Sequence, residues 1–524
     1  MSIPFRLALL LGAATGFIAL AHEIVWTRVY NFTSASSAQA LGTMLGSYLL
    51  GLALGSLWSR RWQDSTASDK PRLRALALLL IYANIAAFLV VPAISWLVTL
   101  VEWPQTLPLV MASAALMGTV FPLLCHLAIP ADSQSGARMS YLYLANIVGS
   151  GLGSLLTGFV LMEWLALWQI AALLLVIAAV IGFALLRLVP GSPKTDAIPA
   201  VLALALAGCA PLLYSHLYER LQLKAAYATY RPFTEIIESR HGVITIVDNK
   251  IICGNGIYDG MLETNPRTGG SLYRPYFISA VHAAPREVLV IGVSGGAWTQ
   301  ILAHNPMVER VTAVEISDAY IKLIQNHSLV SSILTNPKVH IVIDDGRRWL
   351  RRNPDRHFDV IVMNTTFHWR EFSSALLGRE FLELARSRLN PGGIVMWNCT
   401  GSERAARTGM TVFPHTMMLG NNCIASLSPL VIDPERWRRV LRDYRIDGHP
   451  VYDLNTPDGQ AGLEEMISLV TNPTAFAANI QTRDQMEKLY GTAEIITDDN
   501  LGHEYKFTLQ DIPRLKKLLF LSAQ

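Results

Sequence analysis

Seven stretches free of Asp, Glu, Lys and Arg fill the first part of the chain, at residues 7–22, 29–59, 75–101, 103–131, 139–162, 164–186 and 197–216. A helix that crosses a bilayer needs about 20 apolar residues, so each stretch is a candidate span, the first and last near the lower limit. Charge is divided accordingly. Residues 1–218 hold only 10 of the 43 basic and 7 of the 40 acidic residues, and the formal net charge of +3 belongs to that part. The 51% hydrophobic content and its clustering argue against a plain soluble enzyme, and a near-neutral remainder implies no nucleic-acid face.

The first stretch follows a single Arg6, lacks a small-residue cleavage site and is succeeded by six more, so it reads as a retained helix rather than a signal peptide. The basic cluster Arg60, Arg61, Lys70, Arg72 and Arg74 belongs in the cytoplasm by the positive-inside rule, with Arg138, Arg187 and Lys194. Seven spans would then put the remainder outside, whereas Arg220, Lys224 and Arg231 argue for inside. Reading 197–216, bracketed by Pro199 and Pro211, as re-entrant or interfacial resolves the conflict. Gly42, Gly46, Gly51 and Gly55, and Gly149, Gly153 and Gly158, form ladders that permit close helix approach. Glu23, Trp26, Arg28 and Glu163 either line a polar cavity or anchor span ends. The five cysteines show no CxxC or Cys/His spacing, so neither a disulfide framework nor a zinc site is signalled.

From Glu235 the pattern changes. Short β-branched runs broken at Asp248-Asn249 and Asn255-Gly256 predict hairpins. "EVLVIGVSGGAWTQILAH" then supplies an apolar strand, a turn with Gly292, Gly295 and Gly296, and an amphipathic helix, which is how a βαβ nucleotide fold opens. The next strand ends in Glu315, about 20 residues on, where a carboxylate can accept both ribose hydroxyls. Asp344 and Asp345 end the third strand, Asn364 the fourth, and Pro391-Gly392-Gly393 precedes another. Alternating strands and helices predict a right-handed, mostly parallel sheet.

This ordered set resembles the spermidine synthase family, the polyamine aminopropyltransferases, and in particular its bacterial membrane-integrated branch. "ALAHEIVWTRV", "MGTVFPLL" and "YLYLANIVGSGLGSLLTGF" resemble that branch's membrane half, and "ITDDNLGHEY" its C-terminal end. The resemblance implies a multi-span α-helical membrane domain (1–218), a small β-hairpin subdomain (219–284) and an α/β Rossmann-like, methyltransferase-type domain (285–524). It implies S-adenosylmethionine or its decarboxylated form as donor, with no metal. Gly292, Ser294, Gly295 and Gly296 would approach that donor, Glu315 would hold its ribose, and Asp344 with Asp345 would reach its adenine. The partners implied are a small-molecule substrate and the lipid bilayer, with no nucleic acid. Soluble relatives commonly dimerise, and the location implied is the inner (cytoplasmic) membrane with the catalytic domain in the cytoplasm.

The chain departs from that family where the donor's aminopropyl amine and the acceptor amine would sit. Gly295 stands where the family's glycine turn carries an Asp, and Asn364-Thr365-Thr366-Phe367 stands where its catalytic loop carries two carboxylates. Asp259 replaces a donor-binding Gln, and Tyr273-Arg274-Pro275 keeps the tyrosine of a Tyr-His-Glu-like stretch but not its glutamate. An amine acceptor must lose a proton to attack, and Asn364 cannot take it. Asp259, Tyr273, Asn364, His368 and Glu371 are therefore the candidate catalytic residues, and Arg370 can pair with a donor carboxylate. The same pocket would also suit a methyltransferase, or a lyase or cyclase that needs no acceptor. A transporter or sensor regulated by nucleotide is the non-enzymatic alternative.

Overall fold

The computed structural model describes residues 4–63, 69–189, 193–229, 232–269, 271–364 and 373–501. They form two compact units, which divide at Val243/Ile244, with Asn255–Ile257 also joining the first.

In the first unit six helices are long and apolar enough to cross a membrane: Phe5–Thr33, Ala38–Arg61, Pro71–Leu97, Trp103–Ala128, Ser135–Trp164 and Leu167–Arg187. The segment expected to be re-entrant is a helix pair, Ala197–Gly208 and Ala210–Thr229, bent by 59°. The glycine ladders separate into two kinds. A Cβ added to Gly149 or Gly153 would lie 1.9 or 2.2 Å from the carbonyl oxygens of Ala13 and Phe17, and one on Gly55 1.8 Å from that of Ala115. These helices touch backbone to backbone, which only glycine permits. Gly42 and Gly46, by contrast, face open space, and Gly158 only grazes Ile24.

Arg28 donates to the carbonyls of Ser239 (2.7 Å) and Arg240 (3.0 Å), and Glu163 accepts from the Arg240 N–H at 3.4 Å. Glu238 accepts from the Leu167 N–H (2.9 Å) and the Tyr218 hydroxyl (2.8 Å). These contacts make Arg28 and Glu163 anchors for the strand that follows the helices.

That strand is β1 (Glu235–Ser239), in a four-stranded sheet of order β1-β2-β3-β4 with β2 (Gly242–Val247), β3 (Ile251–Gly254) and β4 (Ile257–Met261). Positive φ at Asp248 and Asn249, and at Asn255 and Gly256, makes the two turns anticipated from their sequence.

The second unit is built on an eight-stranded sheet. Its central strands are β5 (Glu287–Ile291), β6 (Arg310–Glu315), β7 (Val339–Ile343), β8 (Phe358–Met363) and β9 (Leu389–Asn398). They lie in the order β9-β8-β5-β6-β7, every neighbouring pair parallel. Here the sheet is not parallel throughout: β10 (His415–Leu419), β11 (Asn422–Ser426) and a short strand, Ile480–Gln481, extend it antiparallel beyond β9. Val288 to Ile291 and Val360 to Met363 are buried on both faces, as continuous apolar runs in central parallel strands should be. The chain leaves β5 towards β6 on one side and returns to β8 on the other. That switch point opens a crevice at the strands' carboxyl ends.

Candidate active site

The turn after β5 enters that crevice. Gly292 (φ +86°), Ser294 (φ +50°) and Gly296 (φ +85°) all adopt left-handed backbone. At Gly292 the reason is proximity, since a Cβ there would lie 3.1 Å from the Asn364 carbonyl oxygen. A non-glycine residue in this region costs about 1–2 kcal/mol, and Ser294 offsets it with two bonds. Its hydroxyl donates to the Asp259 carbonyl (3.0 Å), and its N–H to Glu315 (3.2 Å).

Glu315 ends β6 and is 3% exposed. Its Oε2 accepts from the N–H groups of Val293 (2.7 Å) and Ser294, and its Oε1 from Ser317 (3.0 Å). Burial pushes this carboxyl above its usual range, while the three backbone donors pull it back. A carboxylate offers about four acceptor positions, so these three bonds leave Oε1 one more. Glu315 therefore shapes the glycine turn, and it is not itself among the residues that line the cleft beside that turn. Asp259 on β4 is also buried and accepts from the Tyr320 hydroxyl.

Between Asp259 and the turn lies a cleft of about 470 Å3, open solvent at its mouth included. Ser294 and Gly295 from the turn, Asp259 and Asn364 line it, alongside Arg274, Asn398, Tyr258 and Trp298. Gly295 makes room for apolar packing: a Cβ there would fall 1.9 Å from Ile252 Cδ1. The place a side chain would take is thus filled from β3.

Four of the expected site residues thus share one cleft: Asp259, Ser294, Gly295 and Asn364. Gly292 and Gly296 bracket it in the turn. Asp345 caps the helix Gly346–Arg352, its Oδ1 accepting from the Arg348 N–H at 2.7 Å, and Asp344 pairs with the Arg348 side chain. Neither aspartate is among the cleft's lining residues. Asp498 holds Arg347 in a two-pronged ion pair, and its N–H donates to Glu380 at 2.9 Å. His368, Arg370 and Glu371 lie outside the described residues. Among the described residues no group of three or more His, Cys, Asp or Glu side chains could hold a metal ion.

Tyr273 opens the helix Tyr273–Val281, and its ring lies 5.8 Å from the Arg274 guanidinium carbon. Arg274 is the lining residue that sequence reasoning passed over, together with Asn398, Tyr258 and Trp298. It is 9% exposed, its Nε has no hydrogen-bond partner, and burial lowers its pKa against the opposing Tyr273. An Arg inside an otherwise apolar helix start was the available signal.

Comparison with known proteins agrees with this arrangement. Residues 277–403 match the spermine/spermidine synthase domain. A polyamine aminopropyltransferase of Mycobacterium tuberculosis is 30% identical over 304 residues, which cover 54% of this chain and 56% of that protein. Polyamine aminopropyltransferase 2 of Streptomyces coelicolor is 25% identical over 394 residues, 71% of this chain and 70% of that one. Against the first of these the chain spans little more than half the relative's length. A solved spermidine synthase from Thermotoga maritima superposes with a TM-score of 0.37 at 18% identity, covering 49% of this chain and 87% of that one. In its α/β half, then, the chain carries a match to the spermine/spermidine synthase domain and is similar to polyamine aminopropyltransferases.

Proposed function

We propose that the chain is a membrane-integrated transferase that moves an aminopropyl or related alkyl group from a sulfonium donor, S-adenosylmethionine or its decarboxylated form, to an acceptor other than the usual diamine. The observation that carries this reading is the cleft itself: the glycine turn, held by Glu315, lines it together with Asp259 and Asn364 at the sheet's switch point, while Gly295 stands where the resemblance expects a donor-gripping Asp and Asn364 where it expects an acceptor-side carboxylate.

In this reading Glu315 Oε1 accepts from a ribose hydroxyl, and Asp345, whose Oδ2 is not used in the cap, accepts from the adenine amino group. The acceptor nucleophile attacks the carbon beside sulfur in line. A bond to that carbon forms, the carbon–sulfur bond breaks, its electron pair stays on sulfur, and methylthioadenosine leaves. The sulfonium's own charge activates the carbon, so the protein contributes mainly positioning. Asn364 orients the acceptor and Asp259 takes its proton, with Tyr273, His368 and Glu371 on the acceptor side and Arg370 towards the donor.

The helical unit (1–218) would be the membrane domain, 219–284 the hairpin subdomain and 285–524 the catalytic domain. Outward apolar residues such as Leu50, Leu54, Leu57, Ile147, Leu155 and Phe159, 48–67% exposed apart from Leu54 at 46%, support a lipid face. The positive-inside rule puts Arg60, Arg61, Arg138 and Arg187 on the cytoplasmic side of the inner membrane, whereas Arg28, Glu163 and Leu167, which hold β1 and Arg240, lie at the opposite helix ends, so the bent pair serves as a seventh span and β1 starts on the far side.

Loss of the acceptor-side carboxylates favours a second reading, a lyase or cyclase that releases methylthioadenosine without an acceptor. Mass spectrometry of products from the detergent-solubilised chain separates the two. Methylthioadenosine formed from either donor only when an acceptor is added supports transfer. Its release from S-adenosylmethionine alone supports the lyase, and S-adenosylhomocysteine would mark a methyltransferase. Donor bound without any adenosine-containing product would overturn both leading readings.

A further inference from the structure

The cleft contains a charge that the reaction above does not use. Arg274 is more than nine-tenths buried, lines the cleft, and among the described residues forms no ion pair. Its neighbours in the helix and sheet are the phenols of Tyr273, which shares a side-chain hydrogen bond with it, and Tyr258, neither of which carries a compensating carboxylate charge. A guanidinium carried out of water without a carboxylate is costly, and breaking or omitting one half of a buried pair leaves that cost uncompensated. The usual resolution is a partner supplied from outside.

The walls around Arg274 hold it in place and add donors. The two-residue turn between β10 and β11 passes beside it at Gly420 (φ +60°), where a Cβ would lie 2.8 Å from the Tyr273 hydroxyl and 3.2 Å from Arg274 Nη2. Asn398 lines the same cleft. Its Oδ1 accepts from both the N–H and the hydroxyl of Thr400, so the backbone donor fixes the amide's orientation and Nδ2 is the group left to offer. Directly across the sheet from it stands Asn422, fully buried, with neither side-chain amide atom bonded.

We propose that Arg274, with Asn398 beside it, is an anion subsite, and that the molecule bound next to the glycine turn carries a carboxylate. The inference rests on the alkyl-transfer reading, whose substrates it specifies. A guanidinium and an amide N–H match a carboxylate's two oxygens, whereas a protonated polyamine would meet like charge in a low-dielectric wall. The carboxylate can come from either substrate: the methionine end of undecarboxylated S-adenosylmethionine, or an amino-acid-like acceptor with an amine at one end and a carboxylate at the other.

Calorimetry on the full-length chain in detergent tests this with matched probes. Methylthioadenosine reports the nucleoside pocket. S-adenosylmethionine against its decarboxylated form reports a donor carboxylate. On protein loaded with methylthioadenosine, 4-aminobutyrate against 1,4-diaminobutane reports an acceptor carboxylate. One of the two carboxylate-bearing probes should bind about tenfold or more tighter than its partner, the worth of one charged hydrogen-bonded contact. Arg274→Gln should bring that ratio close to one, and Arg274→Lys should restore part of it. Equal binding within both pairs by the wild-type chain, with methylthioadenosine still bound, overturns the subsite but leaves the nucleoside pocket standing. Failure of methylthioadenosine to bind the wild-type chain overturns both. Because the ratios are read first on the wild-type protein, a variant that fails to fold does not decide the matter.

Discussion

Gly295 shows how a single position can be fixed by packing. Its missing side chain is not empty space, because Ile252 Cδ1 from β3 occupies the place a Cβ would take. Restoring aspartate there should overpack the wall, at about 1–3 kcal/mol. Ile252→Val removes the clashing methyl group for about 0.5–1.5 kcal/mol on its own. The double variant should therefore lose less stability than the two single losses combined, with a coupling of at least about 0.5 kcal/mol. Melting temperatures of the four proteins in a double-mutant cycle measure this, and strict additivity would show that the loop does not pack as described. Glu315 belongs to the same scale: burial pushes its carboxyl upward, and its three backbone donors work against that push.

At the scale of elements, the helix Gly346–Arg352 depends on Asp345, which caps its N-terminus with Oδ1. Asp345→Ala should cost about 1 kcal/mol of stability, whereas Asp345→Asn, an equally good cap, should cost almost nothing. The asparagine's remaining amide nitrogen can donate but not accept. If the free oxygen serves adenine, Asp345→Asn should weaken methylthioadenosine binding by roughly tenfold while leaving the melt unchanged. Unchanged binding would reduce the residue to its cap. Much at this scale was legible in the sequence. The β5 strand, its turn, Glu315 and Asn364 are local signals, because continuous apolar runs and glycine spacing are set by neighbours in the chain. Arg274 was not legible as a lining residue. Its burial depends on Gly420, nearly 150 residues later, in an antiparallel extension whose strands resemble any short apolar run. Nor does periodicity reveal that Asp344 and Arg348 satisfy each other, one turn apart at a helix start.

Across the whole molecule, helix crossing in the first unit relies on a few glycines chosen out of many. Gly55 and Gly149 abut the carbonyls of Ala115 and Ala13, whereas Gly46 faces open space in the same helix as Gly55. Gly55→Leu and Gly149→Leu should abolish monodisperse protein in fluorescence-detected size-exclusion chromatography, because the displaced atoms are backbone and cannot move aside. Gly46→Leu should elute and melt like wild type. Equal tolerance of all three would contradict the close crossings. The sequence ladder alone could not make this distinction, since Gly42, Gly46, Gly51 and Gly55 look equivalent along the chain.

The anchoring of β1 by Arg28 and Glu238 also has a temporal meaning. All its partners lie before residue 244, so the tie can close during synthesis while β5 is still some 48 residues from being made, an interval of roughly 2–10 s at about 5–20 residues per second. The sheet's parallel strands pair across long sequence separations, which makes their assembly slow. They would therefore come together on a chain whose upstream end is already fastened, so that fewer of the wrong strand pairings remain within reach.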